Sequence, residues 1–116
     1  MKANELVIGD YVQGFSPGTK LKVCRILNEY RVGIRSYDGI YWELPADDIQ
    51  PIPLTPKILE KNFPNAESGV IWWWDIDELY CEIDANNGIK VTGYFHNIHE
   101  LQHALRLCGI EKEIEL

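Results

Sequence analysis

Ile49-Gln50-Pro51-Ile52-Pro53-Leu54-Thr55-Pro56 is the stretch on which the reading of the chain turns. Each proline holds the residue before it out of the helical region, so the segment through Leu54 is extended. Thr55 then offers a side-chain cap to a helix whose first position is Pro56, where the missing N–H removes no bond. Upstream the apolar residues keep a period of two. Downstream a short apolar stripe of Ile58, Leu59 and Phe63 takes over, ended by Asn62 and Pro64. The chain is therefore expected to divide here, into residues 1–54 and 55–116.

The first part reads as short strands with turn punctuation. Leu6-Val7-Ile8 meets Gly9-Asp10, and Tyr11-Val12-Gln13 runs on to a loop containing Ser16-Pro17-Gly18. Residues 21–26 alternate, as do residues 30–36, which stop at Asp38-Gly39, a strong hairpin signal between β-type runs. Ile40-Tyr41-Trp42-Glu43-Leu44 is the fourth strand, Pro45 to Ile49 suits one 3₁₀ turn, and Gln50 to Leu54 supplies a brief fifth extended segment. Four meandering strands, one helical turn and a short fifth strand resemble an SH3-like barrel in order and length. That resemblance implies a small closed barrel over residues 5–54, a shape that leaves few unpaired strand edges.

The second part reads as α-β-β-β-α-β. Val70-Ile71-Trp72-Trp73-Trp74-Asp75 and Leu79-Tyr80-Cys81-Glu82-Ile83-Asp84 are strands, Asn86-Asn87-Gly88 is a turn, and residues 89–95 return. Asn97 caps a helix from about Ile98 to Cys108, and Gly109 ends it. Ile110 to Leu116 alternates cleanly and is expected to be a last strand. The fold class is thus α+β: a small SH3-like barrel followed by a small antiparallel sheet with two helices.

The chain has 116 residues, 46% hydrophobic, with 4 Trp, 6 Tyr and 3 Phe, a composition that excludes disorder. With 11 basic and 18 acidic side chains its net charge is −7, which opposes binding to a phosphate backbone. Nucleic acid is therefore disfavoured as a partner. The basic residues Lys20, Lys22, Arg25, Arg31 and Arg35 gather in one region, with Lys20 and Lys22 on one strand face, and read as a solvated surface. Cys24, Cys81 and Cys108 are odd in number, far apart and set in apolar runs, so they read as free thiols in a reducing cytoplasm. No apolar run reaches the length of a signal-peptide core or a membrane span.

Residues 49–56, Ile58-Leu59-Glu60-Lys61-Asn62, Glu100-Leu101-Gln102 and Leu105 to Ile110 resemble a small uncharacterised family of gut Bacteroidetes, often encoded in prophages or integrated elements. The resemblance implies a bacterial, mobile-element setting. It implies no activity, cofactor or catalytic residue.

His99-Glu100-Leu101-Gln102-His103 fits the zinc-peptidase string. Two histidines four apart share a helix face, and the adjacent Glu can act as general base on metal-bound water. His96 could add a nitrogen. At about 100° per residue, however, Ile98, Leu101, Ala104, Leu105 and Cys108 form one apolar arc and His99 and His103 fall nearly opposite, on the expected solvated side. Gly109 stands where the extended motif would place a third histidine. The leucine-rich flanks explain the helix without a metal, and no cofactor is expected. A compact zinc hydrolase with catalytic Glu100 and ligands His99, His103 and His96 is kept only as the alternative.

Other groups point to binding rather than chemistry. On a strand Trp72 and Trp74 face one way and Trp73 the other. Trp72 and Trp74 are expected in the core and Trp73 partly exposed near the seam between the two parts, where it is a candidate partner contact. Tyr37, Tyr41 and Trp42 flank the Asp38-Gly39 turn and are further partner candidates. Asp47, Asp48, Asp75, Asp77 and Glu78 read as turn formers rather than a cation site, and no phosphate-cradling glycine loop or nucleophile elbow is present. The expectation is a non-enzymatic protein–protein interaction or accessory module, its partner another protein or a second copy of itself.

Overall fold

The computed structural model describes residues 1–14, 19–64, 69–75, 78–84 and 88–116. The expected loop at Ser16-Pro17-Gly18 and the Asn86-Asn87 pair lie outside them. The chain forms two compact units, Met1–Ile52 and Pro53–Leu116.

The first unit opens with a 3₁₀ turn at Ala3–Glu5. It continues with strands β1 (Tyr11–Gln13), β2 (Lys20–Ile26), β3 (Arg31–Ser36) and β4 (Tyr41–Pro45), a 3₁₀ turn at Ala46–Asp48, and β5 (Gln50–Pro51). All pair antiparallel in the order β4-β3-β2-β1-β5. Alternation drives the packing: Val12, Leu21, Val23, Val32 and Ile34 turn to one side and close a core with Leu6, Ala46 and Ile49. The Asp38-Gly39 hairpin forms as its residues dictate. The Ser36 N–H donates to Ile40 O at 2.9 Å, the Gly39 N–H donates to Ser36 O at 2.9 Å, and Gly39 adopts φ 87°, a conformation open to glycine at little cost.

Three expectations for this unit need correction. The sheet is open rather than a closed barrel: β4 and β5 are its two edges among the described residues. β5 has only two residues, one of them Pro51 without an N–H, too little backbone to carry a ladder on both flanks. Leu6-Val7-Ile8 is not a strand. The fully buried Asp10 converts it to a turn, its Oδ2 accepting the Val7 N–H at 2.8 Å while its own N–H donates to Val7 O at 3.0 Å. The alternation in β2 also breaks, because the register against β3 shifts between Val23 and Arg25, a bulge at Cys24 that sets Ile26 opposite the buried Val32.

The second unit comprises α1 (Pro56–Asn62), β6 (Val70–Asp75), β7 (Glu78–Asp84), β8 (Lys90–Tyr94) and α2 (Ile98–Leu107). Its sheet is antiparallel in the order β6-β7-β8. Thr55 caps α1 as expected, its Oγ1 accepting the Ile58 N–H at 3.3 Å with Pro56 in the first turn. Gly109, at φ 69°, closes α2: its N–H donates to Arg106 O and that of Ile110 to Leu105 O. Val70, Cys81 and Ile83 point to the inner face and are buried, together with Ile98, Leu101, Ala104 and Leu105 of α2. The Cys108 thiol reaches Ile83 O at 3.9 Å, which ties the end of α2 to that face. The segments before the two helices are joined by a Pro53–Asn97 bridge and by the Leu54 N–H donating to His96 O at 2.9 Å.

Residues 110–116 form no strand, contrary to their alternation. The tail is instead held by one side chain. Asn62 Nδ2 donates to Glu115 O at 2.8 Å and to Ile58 O at 2.8 Å, while the Glu115 N–H donates to Asn62 Oδ1 at 2.7 Å. A carboxamide offers one acceptor and a two-hydrogen donor, so Asn62 presents to the tail the same donor–acceptor pair as a neighbouring strand. Ile114 is thereby seated in the core.

Asn62→Ala should lower stability by about 1–3 kcal/mol in urea denaturation, because buried backbone groups lose their partners. The Glu115 amide should lose protection from hydrogen exchange at the same time. Leu101→Ala should cost about 2–5 kcal/mol through lost burial and a residual cavity. A pH effect follows from Cys81, whose thiol burial pushes up from 9.0 to about 12. The native state keeps a proton that the unfolded chain releases above about pH 9, so the thiol's contribution to stability is complete below that pH and falls as pH rises toward 12, by at most about 1.4 kcal/mol per unit. Cys81→Ala should flatten this slope between pH 9 and 10.5, and unchanged slopes would show that the thiol is solvated.

Candidate functional site

Because side chains alternate along a strand, the residues between the buried ones of β6, β7 and β8 must stand on the opposite face. The register sets Trp73 opposite Tyr80 and Tyr80 opposite Tyr94. These three rings form a ladder across the sheet, with centroids 4.6 Å apart and tilted 41° for Trp73–Tyr80, and 5.2 Å apart and edge-on at 71° for Tyr80–Tyr94. Such pairs are favourable geometries for aromatic quadrupoles, each contributing about 0.5–1.5 kcal/mol beyond burial. The ladder is nonetheless open to solvent, Trp73 at 42% and Tyr94 at 43% exposure. In the next row Ile71, also exposed, lies opposite Glu82, which pairs with Lys90 at 3.5 Å. The face is thus an aromatic strip with one aliphatic residue and a charged margin.

Trp73 therefore stands where the alternation puts it, on the outer face. Trp72 is half-buried opposite Cys81, but Trp74 is 56% exposed rather than in the core. Among the described residues β6 is an edge strand of its sheet, and Trp74 lies near its end. Tyr80 and Tyr94, members of the ladder, escape a reading by sequence neighbours. Only the cross-strand register brings them beside Trp73.

The three aromatics near the Asp38-Gly39 turn do not form one cluster. Tyr41 and Trp42 are successive strand residues and so face opposite ways. Trp42 lies opposite Ile34 at the β4 edge, half exposed, while Tyr41 lies opposite Arg35 and packs over Gly33, where an added Cβ would meet the ring. Tyr37 is almost wholly exposed beside the turn.

Helix α2 carries the His-Glu-x-x-His string, and its histidines are not where the helical wheel puts them. His99 is buried at 7% exposure and Gln102 at 8%, and His103 is half-buried, so the buried arc covers more than half of the helix circumference. The wheel shows which side is apolar, whereas burial depends on how many neighbours surround the helix. The rings of His99 and His103 meet edge-on at 5.6 Å. Glu100 is engaged locally, its Oε1 accepting from Asn97 Nδ2 at 2.9 Å at the start of the helix. His96 is exposed and lies 3.8 Å from a Glu78 oxygen on β7. Among the described residues no group of three or more His, Cys, Asp and Glu side chains is placed to hold a metal ion.

In comparison with known proteins, no family model, no curated protein and no solved structure matches the chain. No described helix is long and apolar enough to cross a membrane.

Burial changes what substitution at the histidines should do. His99→Ala should cost about 1–3 kcal/mol, the range for disturbing a buried polar group, whereas His96→Ala should stay within about 0.5 kcal/mol. Thermal denaturation of the two variants checks the ranking, and equal effects would place His99 at the surface.

Proposed function

We propose that this protein is a non-enzymatic interaction module whose docking surface is the outer face of the C-terminal sheet, centred on Trp73, Tyr80 and Tyr94, and that its occupant is another protein surface. The observation that carries the reading is the three-ring ladder, exposed at Trp73 and Tyr94 and half-buried at Tyr80. A solvated sheet face needs no aromatics; Thr, Lys and Glu serve there at less risk to solubility. Aromatic rings at a partly open centre with a charged margin have the composition of an interaction surface, since Trp and Tyr are enriched in binding hot spots and charges in the rim. The net charge of −7 supports a protein rather than a polynucleotide as occupant.

The same reading takes the N-terminal unit as SH3-like in strand order, with its 3₁₀ turn between β4 and a short β5, although its sheet is open. The free thiols of Cys24, Cys81 and Cys108 support a reducing, cytoplasmic setting. The bacterial mobile-element setting rests on sequence resemblance alone.

Trp73→Ala is expected to cost less than about 1.5 kcal/mol, the loss of one ring pair, and to remove association seen by sedimentation, with itself or with a purified partner. Trp42 and Trp74 are also exposed and quench in every variant, so the emission lost in Trp73→Phe should be one part of the acrylamide-quenched signal in the monomer and the part that association protects. A cost of about 3–5 kcal/mol would instead make Trp73 a core residue and overturn the proposal. So would a Trp73 that resists quenching in a chain shown to be monomeric.

A further inference from the structure

On the N-terminal sheet one cross-strand row reads Tyr11–Lys22–Arg35–Tyr41, taken from β1, β2, β3 and β4 in turn. Lys22 and Arg35 are direct partners, and like charges set opposite one another destabilise a sheet. Lys20 adds a third cation on the same face. The Lys20 ammonium lies 4.4 Å and the Lys22 ammonium 5.8 Å from the centroid of one ring, that of the buried Tyr11. On the neighbouring strand the Arg35 guanidinium lies 5.9 Å from the Tyr41 ring, and its Nη1 donates to Gly39 O at 3.0 Å. Tyr11, Lys20, Lys22, Arg35, Ser36 and Tyr37 together line a hollow of about 190 Å³. The Ser36 hydroxyl at its rim is bonded to the Asp38 carboxylate, which that bond holds below the usual carboxylate range.

Three cations gather around one small hollow with one carboxylate, that of Asp38, bonded at its rim, so the local balance of charge is positive in a chain with a net charge of −7. Solubility does not call for such a gathering. The rings hold the cations in place through cation–π contacts, so little side-chain freedom is lost when an anion enters. A single carboxylate would balance one of the charges. A phosphomonoester carries about −1.5 to −2 charges and three acceptor oxygens, which match two ammonium groups and a guanidinium fork.

We propose that this hollow is a binding site for a phosphoryl group, with Lys20, Lys22 and Arg35 as its ligands and Tyr11 as its floor. The inference is independent of the aromatic docking face on the other unit. Uniformly ¹⁵N-labelled protein titrated with inorganic phosphate, with O-phospho-L-tyrosine and with sodium acetate at matched ionic strength tests it. The two phosphoryl compounds should shift the amides of Tyr11, Lys20 to Lys22 and Arg35 to Tyr37 in a saturable way, and acetate should not. Tighter binding of phosphotyrosine than of phosphate would assign the site to a phosphorylated side chain, and equal binding to free phosphate. Lys20→Gln with Arg35→Gln should weaken the effect by about tenfold or more, while Lys57→Gln on α1 leaves it unchanged. The spectra themselves report whether each variant is folded. Shifts that do not saturate, that acetate reproduces, or that survive the double substitution would overturn the proposal.

Discussion

A three-stranded sheet that packs against the rest of its unit on one side buries only one of its faces. In the second unit that constraint governs nearly everything of interest. Once Val70, Cys81 and Ile83 are committed to the core, the period of two leaves Ile71, Trp73, Tyr80 and Tyr94 no place but the outer face. A register slip of one residue would exchange the two sets, drive Glu82 inward and expose Cys81. The inner face therefore fixes the outer one, and the aromatic ladder is positioned by residues that never touch it.

The tail shows the same economy in another form. Ile110 to Leu116 alternates like a strand, but alternation records only which side of a segment is buried. It does not specify a backbone partner. Here the partner is the carboxamide of Asn62, which supplies one donor and one acceptor to Glu115 and anchors the tail to the end of α1. One side chain at a helix end thus replaces a strand.

What the sequence made legible was local chemistry. The Asp38-Gly39 hairpin, the Thr55-Pro56 helix start and the Gly109 stop each depend on a few adjacent residues whose backbone preferences decide the outcome. What stayed hidden depends on distance along the chain. The bulge at Cys24 is a property of the β2–β3 register, the burial of His99 is a property of what surrounds α2, and the absence of closure follows from a β5 only two residues long. For the candidate surface, Trp73 was readable from alternation, but Tyr80 and Tyr94 join it only through two ladders of hydrogen bonds. Tyr37, Tyr41 and Trp42 flank one turn in the sequence, and strand geometry sends Tyr41 and Trp42 to opposite faces.

Both candidate surfaces are rows that run across strands rather than motifs that run along them. Neighbouring strands lie about 4.8 Å apart, so a row of three or four side chains spans roughly 10–14 Å, a length suited to a small group or a short stretch of a partner. Such a row draws its members from residues 6 to 30 apart, as in Tyr11–Lys22–Arg35–Tyr41, and leaves no short signature in the sequence. The string that did look like a signature, His-Glu-x-x-His, is instead absorbed into the fold: His99 is buried and Glu100 is bonded to Asn97 where α2 begins. In this chain of short strands, the one motif-like string written along the sequence serves structure, and both candidate surfaces are built across a sheet.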